Sequence, residues 1–378
     1  MKSYNCDLQL HGKFAAGVSK SMEIPVIAQQ SKLKGLDVLV TADIFHKKWF
    51  EHVKENIVEE TNGVFCDKNN NAHFIIGGEV EDNKRIHHLL YLPDLQSAVQ
   101  LREKFFAFGN LDCSLCGRPK LRLSAEQIAK KVEEVGGIFG PAHSFTPYTG
   151  IYAFFDSAKE AYGQMGEKLL FIELGLSADT FFADKISENH KYVFLSSSDA
   201  HSPWPNRIGR EFNRIKMNKP DYKSLVLALK NREEKMVELN VGLNPMEGKY
   251  HKTACNECFE QYSLEQAKQL NFKCIKCGSQ IKRGVRDRIE MLADTKKETH
   301  PNFRPPYLHS LPLAEIIQLS TGAKNVNSQL VQSKWKDLVE RFETEIKVLV
   351  DASIKEITEV DAQTAKKIDS FRKGFVHY

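Results

Sequence analysis

The sequence predicts an α/β fold of strand–helix repeats, followed by a small cysteine module and a helical tail. Three observations predict it. Residues 1–240 alternate apolar β-like runs with amphipathic stretches, the pattern of parallel strands joined by right-handed crossovers. Two Cys-x-x-Cys knuckles follow, Cys255/Cys258 and Cys274/Cys277, with 15 residues between them. From Leu313 onward the apolar spacing is helical.

Taken in order, Ile24 to Lys34 reads as a helix and Leu36 to Val40 as the strand after it. Ala72 to Gly77 and Leu89 to Leu92 are strand-like, and Leu95 to Phe106 is helical. Ser124 is an N-cap with Gln127 at the capping-box position, and Gly136-Gly137 ends that helix. Ile138-Phe139-Gly140, Leu169 to Leu174 and Tyr192 to Leu195 continue the series. Roughly seven or eight strand candidates result, consistent with a closed or nearly closed barrel. Val241 to Tyr250 is turn-rich and reads as a linker. Residues 286–300 are polar and helix-like, and Phe303-Arg304-Pro305-Pro306-Tyr307 is too proline-rich for a helix. Ser320 to Asn327 reads as a turn, and Trp335 to Ile354 as part of a helix. The expected units are an α/β domain (1–240), a four-cysteine module (250–285) and a mainly helical region (286–378).

At 378 residues, 42% hydrophobic and 27% charged, the composition is that of an ordinary soluble globular protein. No apolar run approaches a membrane span, and Met1 to Asp7 lacks a signal-peptide core. The expectation is a cytoplasmic protein with no membrane partner. The net charge of +4 is unevenly spread, with the positive excess C-terminal, where a phosphate backbone can be held. Eight cysteines in a chain this long do not suggest a disulfide scaffold. The four in the two knuckles fit a structural zinc. Lys273, Lys276, Lys282, Arg283, Arg286 and Arg288 surround them, a candidate nucleic-acid contact. Cys113 and Cys116 read as incidental thiols, and Cys6 and Cys66 as packing residues.

The chemistry-bearing residues sit where apolar strands end. Asp199 and His201 follow Val193-Phe194-Leu195, and His11, Asp43, Glu79 and His143 follow other β-like segments. Any one of them alone reads as ordinary hydrogen-bonded structure. Recurrence at strand ends is how a parallel α/β barrel builds an active site. Strand alternation sends His87 and His88 to opposite faces, and His46 reads as a surface residue. Two or three cations held by oxygen and nitrogen would polarise a phosphodiester and lower the pKa of a bound water.

The order His11, Asp43, Glu79, a histidine near 88, His143 and Asp199-Ala200-His201 resembles the PHP (polymerase and histidinol phosphatase) family. A closer resemblance is to the endonuclease Q family, archaeal type. It is carried by Gly140-Pro-Ala-His-Ser-Phe-Thr-Pro-Tyr-Thr-Gly150, Asp199-Ala-His-Ser-Pro-Trp-Pro205 and Arg207-Ile-Gly-Arg-Glu-Phe-Asn-Arg214. The resemblance spans nearly the whole chain. It implies a PHP-type distorted (β/α)7 barrel, then the four-cysteine zinc module and a helical C-terminal region. It implies active-site metals (two or three of zinc, manganese or magnesium) on Gln9, His11, Asp43, Glu79, His88, His143, Asp199 and His201. Asp199, His201 and His143 would be catalytic. The implied activity is a DNA-repair endonuclease that nicks 5′ of uracil, hypoxanthine, xanthine and abasic sites in double- or single-stranded DNA. A sliding clamp is a candidate partner, although Phe371 to Tyr378 shows no clamp-binding motif. One departure stands out: the family's opening His-x-His is Gln9-Leu10-His11 here, and an amide is a poorer zinc ligand than imidazole. The alternatives are therefore a PHP phosphatase acting on a small phosphoester, or an attenuated lesion-DNA-binding protein.

Overall fold

The apolar runs of the first 242 residues become strands because β-branched and aromatic side chains can bury both faces there. In the computed structural model, which describes residues 1–295 and 297–374, the N-terminal half contains β1 (Lys2–Asp7), α1 (Ile24–Lys34), β2 (Val38–Val40), α2 (Lys47–Asn56), β3 (Ile57–Thr61), β4 (Val64–Asp67), β5 (His73–Glu81), β6 (His87–Leu92), α3 (Leu95–Phe106), α4 (Ala125–Glu133) and β7 (Ile138–Pro141). Then come α5 (Ala158–Tyr162), β8 (Phe171–Glu173), α6 (Thr180–Ala183), β9 (Val193–Leu195), β10 (Phe212–Met217), α7 (Tyr222–Lys230) and β11 (Val237–Gly242). The Ser124/Gln127 capping box forms as expected. The last four residues of the Phe371–Tyr378 terminus lie outside the described residues.

The expectation of uniformly parallel pairing is corrected. β1–β2, β2–β5 and β8–β9 are parallel, but β5–β6, β6–β7, β1–β10 and β10–β11 are antiparallel. The physical reason is local for β5 and β6. Asp82 accepts from the backbone amides of Lys84 and Ile86 (both 2.8 Å), folding a tight turn that needs no crossover helix. The strand ladders leave β8–β9 as a separate pair. A few backbone hydrogen bonds join it to its neighbours: Ser144 N to Glu173 O (2.9 Å) on the β7 side, and Asp199 N to Gln9 O (3.0 Å) and His11 N to Ala200 O (3.1 Å) on the β1 side. One large buried core fills the space between these strands and their helices.

The zinc-type module consists of β12 (Ala254–Cys255), α8 (Leu264–Gln269) and β13 (Ile281–Lys282). After it come α9 (Val285–Leu292), β14 (Tyr307–His309), α10 (Leu313–Thr321), α11 (Gln329–Phe342), α12 (Ile354–Val360) and α13 (Ala362–Arg372). Two sequence expectations change here. The region 286–378 contributes a strand, since β14 pairs in parallel with β11 and so ties the C-terminal region to the main sheet. The helix expected across Trp335 to Ile354 breaks at Glu343, whose φ of 72° is left-handed, and a π-type turn over Lys347–Asp351 follows. The C-terminal helices have their own core around Ile317, Leu338, Ile357 and Ile368. That core docks on the first through a buried ion pair between Lys34 and Glu345 (2.6 Å, both at most 1% exposed). Glu345 also accepts from Trp335 Nε1 (2.7 Å) and Leu313 N (3.0 Å), so neither charge is left unpaired. Among the described residues no helix is long and apolar enough to cross a membrane.

Candidate metal centre

The strand topology brings most of the expected residues to one end of the sheet. Gln9 and His11 follow β1, Asp43 follows β2, His143 follows β7, and Asp199 and His201 follow β9. Because β6 runs antiparallel to β5, it brings His87 to this end from its start rather than its finish. Three of these residues hold left-handed backbone: Asp43 (φ 32°), His143 (φ 29°) and Asp199 (φ 48°). Such conformations cost a non-glycine residue free energy and cluster at functional sites.

Two groups of ligand atoms result, each within 4.8 Å: His11, Asp199 and His201, and Glu79, His87 and His143. Glu79 links them. Its Oε1 lies 2.6 Å from His87 Nδ1 and 3.6 Å from His143 Nε2, while its Oε2 lies 3.2 Å from His11 Nε2. A carboxylate with one oxygen toward each group would serve both if cations were held there.

The histidine tautomers support that use. His11 Nδ1 donates to Asp43 Oδ1 (3.1 Å), which turns Nε2 toward Glu79 and Asp199, where a bound cation would take the place of its proton. His201 Nδ1 donates to the carbonyl of Asp199 (2.8 Å), which frees its Nε2 likewise. A histidine held by an acceptor on one ring nitrogen and offering the other is the usual arrangement of a metal ligand. Four buried atoms here lack hydrogen-bond partners: Gln9 Oε1, His11 Nε2, Glu79 Oε1 and Asp199 Oδ1. Buried polar atoms are rarely left so. Their convergence, with a donor set of imidazoles and carboxylates, fits divalent cations.

The electrostatics agree. Burial alone would disfavour a charged His11, yet Asp43, Asp199 and Glu79 outweigh it and hold its pKa well above the usual value. Burial raises the Glu79 carboxyl, but His87 and Arg118 overcome this and keep it well below the carboxylate range. Desolvation likewise opposes ionisation of Asp199, and His11 brings it down to about 2. A pocket that stabilises this much negative charge is built to receive positive charge.

Three expected ligands, His88, Asp43 and Gln9, do not join the groups. His88 points to the far face of β6, where Nδ1 meets the Tyr162 hydroxyl (2.7 Å) and Nε2 meets Asp82 (3.3 Å). His87 stands in its place. Asp43 has both oxygens engaged, one by His11 and the other by Gly12 N (2.7 Å), so it orients His11. Gln9 sits where expected but turns its amide nitrogen to Glu79 (2.8 Å). His46, expected at the surface, is buried, caps α2 by accepting from Trp49 N and stacks on Phe14.

Other residues of the site were not anticipated. Glu81 reaches His87 Nε2 (3.3 Å). In the β5–β6 register Glu81 faces His87 directly and Val80 faces His88, so the hairpin register was the signal that selects His87. Glu173, at the end of β8, accepts from the backbone amides of His143, Gly175 (3.0 Å) and Ser197 (3.2 Å), and burial pushes its carboxyl well above the usual range. It carried the same strand-end signal as the other residues. Replacing His87 with Ala is expected to weaken binding of a second manganese ion at least 10-fold, while His88→Ala leaves both ions bound and lowers stability by about 1–3 kcal/mol, the cost of unpaired buried partners. Calorimetric manganese titration with thermal melts checks this; the reverse pattern would restore His88 as the ligand.

In the cysteine module, Cys255 and Cys277 sulfurs lie 3.4 Å apart and those of Cys258 and Cys274 3.6 Å apart. A tetrahedral zinc with Zn–S of about 2.3 Å sets sulfurs roughly 3.8 Å apart. The module's own core consists of Cys255, Ala267, Cys274 and Ile281, too little apolar burial to fold unaided. Cys274→Ser is therefore expected to lose the module's zinc and weaken lesion-duplex binding by about 10-fold or more, while the main unfolding transition persists. Zinc analysis and a binding titration measure both. Full binding without zinc would make the module dispensable. The other pair corrects the sequence reading: Cys113 and Cys116 are not free thiols but a disulfide, brought together by a turn in which Cys116 N bonds Cys113 O (3.1 Å).

Over its whole length the chain resembles known nucleases. It is 41% identical to the lesion-specific endonuclease PfuEndoQ of Pyrococcus furiosus, covering 99% of this chain and 91% of that one, with a TM-score of 0.92. The chain belongs to the endonuclease Q family. A structure of endonuclease Q with a 27-mer duplex carrying an abasic lesion at the active site is equally similar, at 41% identity and a TM-score of 0.91 over 99% of this chain and 92% of that one. Residues 312–375 match the family described as the MJ0043 C-terminal domain. The uncharacterized protein MJ0043 of Methanocaldococcus jannaschii is 43% identical over 64% of this chain, which spans 30% of that protein's length. YqxK, an uncharacterized protein of Bacillus subtilis, is 29% identical over 99% of this chain and 96% of its own.

Proposed function

We propose that this protein is a metal-dependent DNA-repair endonuclease that nicks the phosphodiester 5′ of uracil, hypoxanthine, xanthine and abasic sites. The carrying observation is the pair of ligand groups shared by Glu79, in a chain similar from end to end to lesion-specific endonucleases. We assign one cation to His11, Asp199 and His201, and a second to Glu79, His87 and His143. Bound there, divalent cations would polarise the phosphodiester and lower the pKa of a coordinated water. Gln9 beside the first group favours a hard cation, manganese or magnesium, over zinc.

The chain's own residues do the rest. Asp43 and Glu81 hold the His11 and His87 rings. Glu173 fixes the backbone that carries His143 and Ser197. Asp199, His201 and Arg118, with side chains 26%, 38% and 27% exposed, form the open rim through which a backbone enters. A damaged nucleotide leaves the stack more easily than a paired one, which assists selection of the lesion. The zinc module and C-terminal helices supply a grip that a small phosphoester would not need. Rates on a lesion duplex, an undamaged duplex and a phosphomonoester, each with magnesium or manganese, test the reading. Lesion-duplex cleavage faster than both others supports it, and preference for the monoester overturns it.

A further inference from the structure

Neither ligand group uses the loop from Cys113 to Arg118, although it forms part of the rim. Its disulfide closes a turn whose Cα atoms are 5.1 Å apart. The turn is anchored on the segment after β1: Cys116 bridges Ala15, and Gly117 N donates to the Phe14 carbonyl (3.0 Å). Gly117 lies flush against Asp43, where a Cβ would stand 2.5 Å from Oδ2 and 2.7 Å from Ala15 N, so only glycine fits. Two residues on, the Pro119 carbonyl accepts from Glu81 N (2.9 Å), which fixes the loop to β5.

Between these anchors Arg118 reaches toward the metal centre, with Nη1 3.6 Å from Glu79 Oε1. Among the described residues Glu79 is its only ion-pair partner, and it makes no hydrogen bond. Arg118 lends Glu79 only its charge, for the carboxylate is positioned by Gln9, which donates to Oε2 (2.8 Å), and by the His87 ring 2.6 Å from Oε1. A guanidinium whose fork of donors is unused, at the mouth of a cation site, is a bidentate receptor for phosphate oxygens.

We propose that Arg118 is a further phosphate-binding residue of this site and that the Cys113–Cys116 bridge is the clasp that positions it. This rests on the reading of the centre as one that cleaves phosphoesters. A soluble dithiol would open the clasp by exchange: two electrons and two protons pass to the bridge, giving two thiols, and the dithiol leaves as its own disulfide. The loop then regains freedom that the bridge withholds.

The test uses the full chain at saturating manganese, with inorganic phosphate as the probe, titrated beside nicking of a uracil duplex. Arg118→Ala should weaken phosphate binding about 10-fold or more and slow nicking about 100-fold, with manganese content unchanged, and Arg118→Lys should restore only part of each. The double substitution Cys113→Ser/Cys116→Ser should weaken phosphate binding several-fold, and no further when added to Arg118→Ala. Unchanged phosphate affinity in Arg118→Ala overturns the proposal. So does loss of manganese in that variant, which would mean that Arg118 acts only through Glu79. A cysteine effect of full size in the Arg118→Ala background removes the clasp. Phosphate binding that depends on Arg118 in a protein that never nicks DNA would leave this proposal standing and end the endonuclease reading; nicking with Arg118-independent phosphate binding would do the opposite.

Discussion

Glu79→Gln is expected to abolish measurable nicking and to lower manganese binding at both groups together. The side chain keeps its shape, so the change is one of charge. Glu79 Oε1 faces His87 and His143, and Oε2 faces His11. Removing the anion takes the shared ligand from both groups, whereas any other single substitution touches one. A lost cation forfeits several kcal/mol of transition-state charge stabilisation. At about 1.4 kcal/mol per tenfold, that is on the order of 10³-fold in rate or more. Manganese titration read beside single-turnover nicking tests it. Retention of one full-affinity ion would show that Glu79 serves one group only.

Asp199→Asn should be nearly as severe, about 10³-fold, with the second group still loaded. Asp199 projects an unpartnered Oδ1 toward His11 Nε2 (3.1 Å), and its carbonyl fixes the His201 ring. The backbone role survives in Asn, which also tolerates the left-handed conformation at φ 48°. The loss is therefore confined to the side-chain charge. Nicking at near wild-type rate with metal bound would remove Asp199 from the chemistry.

Much of this was legible in the sequence because the signals were local. The α3 limits, the α4 capping box, the strand-end positions of His11, His143 and Asp199, and the two cysteine knuckles all depend on neighbours a few residues away. What was not legible depends on pairing. The Asp82 turn joins β5 and β6 as a hairpin, but its register comes only from the pairing of the two strands, and without that register His88 looked as good a ligand as His87. Nothing local shows that Gly12 N and His11 occupy both Asp43 oxygens, turning an expected ligand into an orienting group. The strand Tyr307–His309 forms only because β11 offers its edge. Arg118 follows a cysteine pair that reads as incidental until the turn brings it to Glu79.

The most direct measurement is the cut site itself. A duplex bearing one uracil, labelled at the 5′ end, is incubated with the protein and magnesium or manganese, and the product is sized. A single cut immediately 5′ of the uracil is expected, absent from undamaged duplex, absent without metal and lost in Asp199→Asn. A cut elsewhere, a cut indifferent to the lesion, or no cut with any divalent cation would contradict the proposed function.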